Sequence, residues 1–123
     1  MVIELNDANF QQTIDGNDIV VVDFWAPWCG PCRSFAPVYE KAATNHTDVV
    51  FAKVNTELEQ QLAGIFNIRS IPTLMAFREQ VIVFAEAGAL PEPALEHLLT
   101  QIKALDMGQV HKEIAAQADQ KVH

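Results

Sequence analysis

The chain has 123 residues, half of them hydrophobic, and its eight Lys and Arg stand against sixteen Asp and Glu for a net charge of −8. That length suits one compact domain with a sizeable core, and the apolar content excludes a disordered chain. The acidic balance disfavours phosphate backbones and anionic lipid, and no apolar run approaches the ~20 residues of a membrane span, so neither nucleic acid nor a membrane is an expected partner.

Residues 1–7 carry neither a basic stretch nor a sustained apolar segment, which makes the cytoplasm the expected location. Val2-Ile3-Glu4-Leu5 reads as a short strand, and Asn6 and Asp7 offer N-cap side chains to a helix running through Phe10 and Ile14 to about Gly16. Residues 19–25 are apolar and β-branched without alternation, the pattern of a central strand covered on both faces, and Asp23 is its only acid. From Gly30 to about Asn45, Phe35, Val38, Tyr39 and Ala42 share one helical face, with Pro37 predicting a kink. Residues 49–54 read as another buried strand. Leu58, Leu62, Ile65 and Phe66 then form the stripe of a further helix, and this alternation implies crossover connections around a parallel core.

Beyond Asn67, residues 73–77 and 81–84 are apolar runs close enough to pair as an antiparallel hairpin, which makes the sheet mixed. Their connection, Arg78-Glu79-Gln80, lacks the Gly or Asn usual in tight turns. Pro91 and Pro93 fit a helix's first turn, continued by Leu95, Leu98, Leu99 and Ile102 as a stripe that covers one sheet face. After Leu105 the chain turns polar and Ala-rich, with Val110, Ile114, Ala118 and Val122 spaced by four. A frayed extra helix is favoured there over a specific docking segment.

The only two cysteines, Cys29 and Cys32, lie two residues apart. Such a pair closes a disulfide or shares a metal, but a four-ligand zinc site needs a second pair and none exists. In a reducing compartment the pair reads as catalytic or metal-binding rather than as a staple. Cys29 precedes the helix, where unpaired N–H groups lower a thiol's pKa, so it should be exposed and the better nucleophile. Cys32 lies one turn on and suits the resolving role. Asp23, flanked by apolar residues, should be desolvated, with its pKa raised, and able to exchange protons with Cys32; the alternative is a strand-end aspartate bonded to backbone. Lys53 taken alone is a solvated charge. His46, His97, His111 and His123 read as surface residues, and Trp25 and Tyr39 as core.

Together, Trp25-Ala26-Pro27-Trp28-Cys29-Gly30-Pro31-Cys32, the preceding Asp23, Lys53 within Ala52-Lys53-Val54-Asn55, Ile71-Pro72-Thr73 and Ala87-Gly88-Ala89 resemble the thioredoxin family over about residues 2–105. The resemblance implies an α/β thioredoxin fold, a central mixed five-stranded sheet flanked by four helices, with a domain of residues 1–105 and a short helical extension, 106–123. It further implies that Asp23 and Lys53 handle protons and that the Ile71–Pro72 peptide is cis and faces the cysteines. Trp28, Gly30, Pro31, Ile71, Pro72, Gly88 and Ala89 would receive an extended segment of a partner protein. The implied function is thiol–disulfide oxidoreduction through Cys29 and Cys32 without a bound cofactor. The implied protein is a cytoplasmic monomer that reduces protein disulfides and is recharged by an NADPH-dependent thioredoxin reductase. A disulfide oxidase or isomerase, and a non-redox binding module on the same fold, are the alternatives. The chain departs from the family at Gln80, commonly a glycine, and in the tail from Asp106.

Overall fold

The computed structural model describes residues 1–122, with side chains as far as 118, so the expectations for the Val122 side chain and for His123 lie outside the described residues. The elements run β1 (Val2–Glu4), α1 (Phe10–Asp15), β2 (Ile19–Trp25), α2 (Gly30–Asn45), β3 (Val50–Asn55), α3 (Gln60–Ile65), β4 (Thr73–Arg78), β5 (Val81–Ala87), α4 (Glu92–Ala104) and α5 (Met107–Val122). The sheet order is β1-β3-β2-β4-β5. Strands β1, β3 and β2 are parallel, while β4 is antiparallel to both β2 and β5.

Unbroken apolarity makes β2 the central strand, because both of its faces are covered. Val20, Val22 and Phe24 are completely buried with Phe10, Ile14 and Leu62 of α1 and α3. Ile19 and Val21 point the other way, into a cluster with Phe35 and Tyr39 of α2 and Leu95, Leu99 and Ile102 of α4. Each such side chain contributes about 1.5–3 kcal/mol of burial, which holds β2 and its neighbours rigidly under the loops they carry.

Several local expectations are corrected. Helix α1 starts at Phe10 rather than just after Asp7, because the Asn6 and Asn9 side chains hold residues 6–9 in a turn: Asn6 Oδ1 accepts from Ala8 and Asn9, and Asn9 Oδ1 from Asn6. Half of the stripe expected for α3 is outside: Leu62 is buried and Phe66 packs against the core, but Leu58 is 77% and Ile65 65% exposed. Asn55 Oδ1 accepts the N–H groups of Glu57 and Leu58, which keeps Leu58 in a turn and out of phase with the six-residue helix that follows. Pro91 is the N-cap of α4, and only Pro93 lies in its first turn. Helix α2 runs through Pro37 as one element, with the proline on its exposed side. Helix α5 is present, and Met107 at its start is buried, so the beginning of the tail is docked. The β4–β5 turn places Glu79 and Gln80 in the left-handed region, at φ 49° and 70°, without a glycine. His97 and His111 are exposed, but His46 is half-buried, its Nε2 2.6 Å from Glu96 Oε2 and its Nδ1 2.9 Å from Lys103 Nζ.

Candidate active site

Strand β2 ends at Trp25, and a short loop carries the chain into α2. The Ala26 carbonyl accepts the Cys29 N–H at 3.2 Å, and the Pro27 carbonyl accepts from Arg33 Nη1 at 3.1 Å. Cys29 is the N-cap of α2 in extended conformation, φ −83° and ψ 115°, and its Sγ accepts the Cys32 N–H at 3.2 Å. Its carbonyl accepts the Arg33 N–H at 3.1 Å. Sulfur therefore takes the place of the usual capping oxygen, and a thiolate there would meet the positive end of the helix. Pro31 sits where its missing N–H has no intrahelical partner to lose.

Cys29 and Cys32 are joined in a disulfide with their Cα atoms 5.2 Å apart. Contrary to the expectation of an exposed Cys29, both residues are buried, at 4% and 3% exposure. The pair tucks against Ala26, Trp25 and Ile71, and Cys29 Sγ lies 3.8 Å from the Ile71 carbonyl. What separates the two sulfurs is therefore surroundings rather than exposure. Cys29 borders the outer surface formed by exposed Trp28, Gly30 and Pro31. Cys32 lines a cavity of about 100 Å³ that it shares with Asp23, Trp25, Tyr39 and Lys53 and with the exposed Arg33, Ala36 and Glu40 of α2.

Register places Asp23 opposite Lys53 on β3 and Leu74 on β4. The carboxyl is buried, and its Oδ1 has no hydrogen-bond partner among the described residues. Desolvation pushes the Asp23 pKa from 3.8 up to about 7, against the opposing pull of the Lys53 charge. The Lys53 ammonium lies 4.9 Å from the centre of the Trp25 ring. Trp25 is only half-buried, so it is a cavity wall rather than core, whereas Tyr39 is fully packed. Burial and then the neighbouring Asp23 raise the Tyr39 pKa far above its ordinary value, keeping it neutral.

On the outer side, the Ile71–Pro72 peptide is cis, and the Pro72 carbonyl accepts the Gly88 N–H at 2.8 Å. That bond ties Gly88, at φ 113°, to the peptide that follows Ile71. Trp28 is 63% exposed and held by a hydrogen bond from Nε1 to Glu57 Oε1. A Cβ added to Gly30 would meet nothing within 4 Å, so the fold leaves that surface free for another chain's approach. Sequence reasoning missed Glu57, because nothing local announces a contact across 29 residues. It also missed that the Tyr39 hydroxyl, 2.9 Å from the Val21 carbonyl and 2.7 Å from that of Ala52, ties α2 to the two central strands. Among the described residues, no cluster of three metal-binding side chains occurs.

The thioredoxin family model matches residues 1–103. The chain belongs to the thioredoxin family. It is 55% identical over 118 residues to a Streptomyces coelicolor protein carrying the provisional name thioredoxin 2, an alignment covering 96% of this chain and 88% of that one. Since at most a few residues are left out, that likeness takes in most of the tail beyond Leu105. It is 46% identical over 99 residues to the thioredoxin of Alicyclobacillus acidocaldarius, covering 80% of this chain and 94% of that one. Among solved structures, the oxidised thioredoxin of Plasmodium falciparum matches with a TM-score of 0.76 and 33% identity, over 85% of this chain and all of that one. As a thioredoxin with a Cys-Gly-Pro-Cys disulfide, the protein is a thiol–disulfide oxidoreductase that reduces protein disulfides.

Proposed function

We propose that Cys29 is the attacking and Cys32 the resolving sulfur, that Asp23 exchanges the proton of Cys32, and that Lys53 sets the charge Asp23 meets. In the dithiol form, the Cys29 thiolate attacks one sulfur of a substrate disulfide; a Cys29–substrate disulfide forms, and the other substrate sulfur leaves and is protonated. Asp23 takes the proton from Cys32, whose thiolate attacks Cys29 Sγ and releases the second substrate thiol. One disulfide has been exchanged for another, and two electrons have passed to the substrate. The observation that carries this reading is that Asp23 and Cys32 line one cavity while Cys29 borders the outer surface.

The partner segment lies extended over Trp28, Gly30, Pro31, Ile71, Pro72, Gly88 and Ala89. A flavoprotein thioredoxin reductase restores the dithiol with two electrons from NADPH. The working unit is a monomer with its redox domain in residues 1–105, acting in the cytoplasm. No helix among the described residues is long and apolar enough to cross a membrane. Mixed with a disulfide-bonded protein, Cys32→Ser should accumulate a covalent adduct on non-reducing gels, and Cys29→Ser should form almost none. Equal adducts from both variants would overturn the assignment.

A further inference from the structure

Strand β5 is an edge strand seven residues long, and its first five residues, Val81 to Ala85, include no charge and no proline. Such an edge presents unpaired backbone groups to any other extended chain, and proteins blunt it with charges, prolines, bulges or a covering element. The opposite edge, β1, is only three residues long. One irregularity, a register shift between Ala76 and Phe77, interrupts the β4–β5 pairing, but Ile82 is still 46% exposed.

Helix α5 is led to this edge by a set of anchors at the β4–β5 turn. Arg78 Nη1 donates to the carbonyls of Ile102, Lys103 and Leu105, at 2.8, 3.1 and 2.9 Å, and so fixes the end of α4. Asp106 Oδ1 then accepts the Gln109 N–H at 3.1 Å, starting α5, and Met107 is buried beside the junction. One turn on, His111 Nε2 lies 2.9 Å from Glu79 Oε1. The same helix presents Val110 and Ile114 to a groove whose other wall is Val81, Ile82 and Val83 of β5. The turn residue in the left-handed region is thus a glutamate where glycine would relax the backbone, and it supplies the carboxylate that His111 meets.

We propose that α5 is an intramolecular guard for the β5 edge, and that the edge it flanks would otherwise pair with β5 of a second copy of this chain. An antiparallel edge-to-edge contact would extend the sheet across two molecules and bury Ile82 of each. The guard stands apart from the cysteines, so its loss acts on association and not on the redox step.

The test uses the full chain. Met107→Ser with His111→Ser removes the buried anchor and the His111–Glu79 contact without adding charge. Amide exchange should rise in α5, and sedimentation velocity across a concentration series should show self-association at least about tenfold tighter than in the parent. Adding Ile82→Lys, which puts a charge on the edge, should return the double variant to the parent's behaviour. Unchanged exchange in α5 would show that the anchors are misassigned and overturn the proposal. So would a loosened α5 in a chain that associates no more than the parent, or an association that Ile82→Lys leaves intact.

Discussion

The cavity behind Cys32 and the junction at the β4–β5 turn each draw a charged side chain into the protein, and they treat it in opposite ways. Asp23 Oδ1 is left without a partner, with Lys53 opposite it as the counter-charge, and its pKa rises to about 7. Arg78 donates through Nη1 to three carbonyls, although its Nε, 4.0 Å from Asp18 Oδ1, is itself buried without a hydrogen-bond partner among the described residues. A buried carboxyl left without a partner costs stability and can gain or lose a proton in the working range; a guanidinium that donates to carbonyls stays charged and holds them in place. The difference separates a site built to react from a site built to hold.

Replacing Asp23 tests the contrast with the largest expected effect. Below 3.8 the carboxyl is protonated in folded and unfolded chains alike. As pH rises from 3.8 to about 7 the folded chain keeps a proton the unfolded chain has lost, so stability falls, and above 7 the loss is constant. At 1.36 kcal/mol per pH unit the penalty is at most about 4 kcal/mol. Asp23→Asn should therefore match the parent near pH 3 and be more stable by about 2–4 kcal/mol at pH 8, read from urea midpoints at constant slope. The same variant should resolve mixed disulfides more slowly in stopped-flow. An advantage over the parent no larger at pH 8 than at pH 3 would break the comparison.

Arg78→Met should act in the opposite direction, destabilising by about 2 kcal/mol through three orphaned carbonyls at the end of α4, with little dependence on pH between 5 and 8. Gly30→Ala sharpens the contrast further, because the added methyl meets open space. Thermal stability should change by less than about 0.5 kcal/mol while KM for a protein disulfide rises, the pattern expected where a surface serves a partner rather than the fold. The smallest effect belongs to Met107→Ser with His111→Ser, whose turnover in an insulin-reduction assay should stay within about twofold of the parent.

Strand β2, helix α2 and the redox pair were legible from sequence because their signals are local. The run at 19–25 has no polar interruption but Asp23, and the 3.6-residue spacing of Phe35, Tyr39 and Ala42 fixes a helix that begins at the first cysteine. The displacement of the Asp23 pKa also followed from its neighbours in the chain, since a carboxyl inside an apolar strand is desolvated whatever packs over it. The outward turn of Leu58 and Ile65 did not follow, because it depends on one side chain, Asn55, capturing two amides and shifting the helix phase. Nor did the burial of Cys29, which is set by the Ile71–Pro72 segment arriving from 42 residues away. Residue order determined which groups could react and which strand would be central, through periodicity and desolvation. Tertiary structure alone decided that Cys29 is buried, which acid holds Trp28, and that the tail is led to the β5 edge, because these are contacts between elements distant in sequence, with no local pattern to record them.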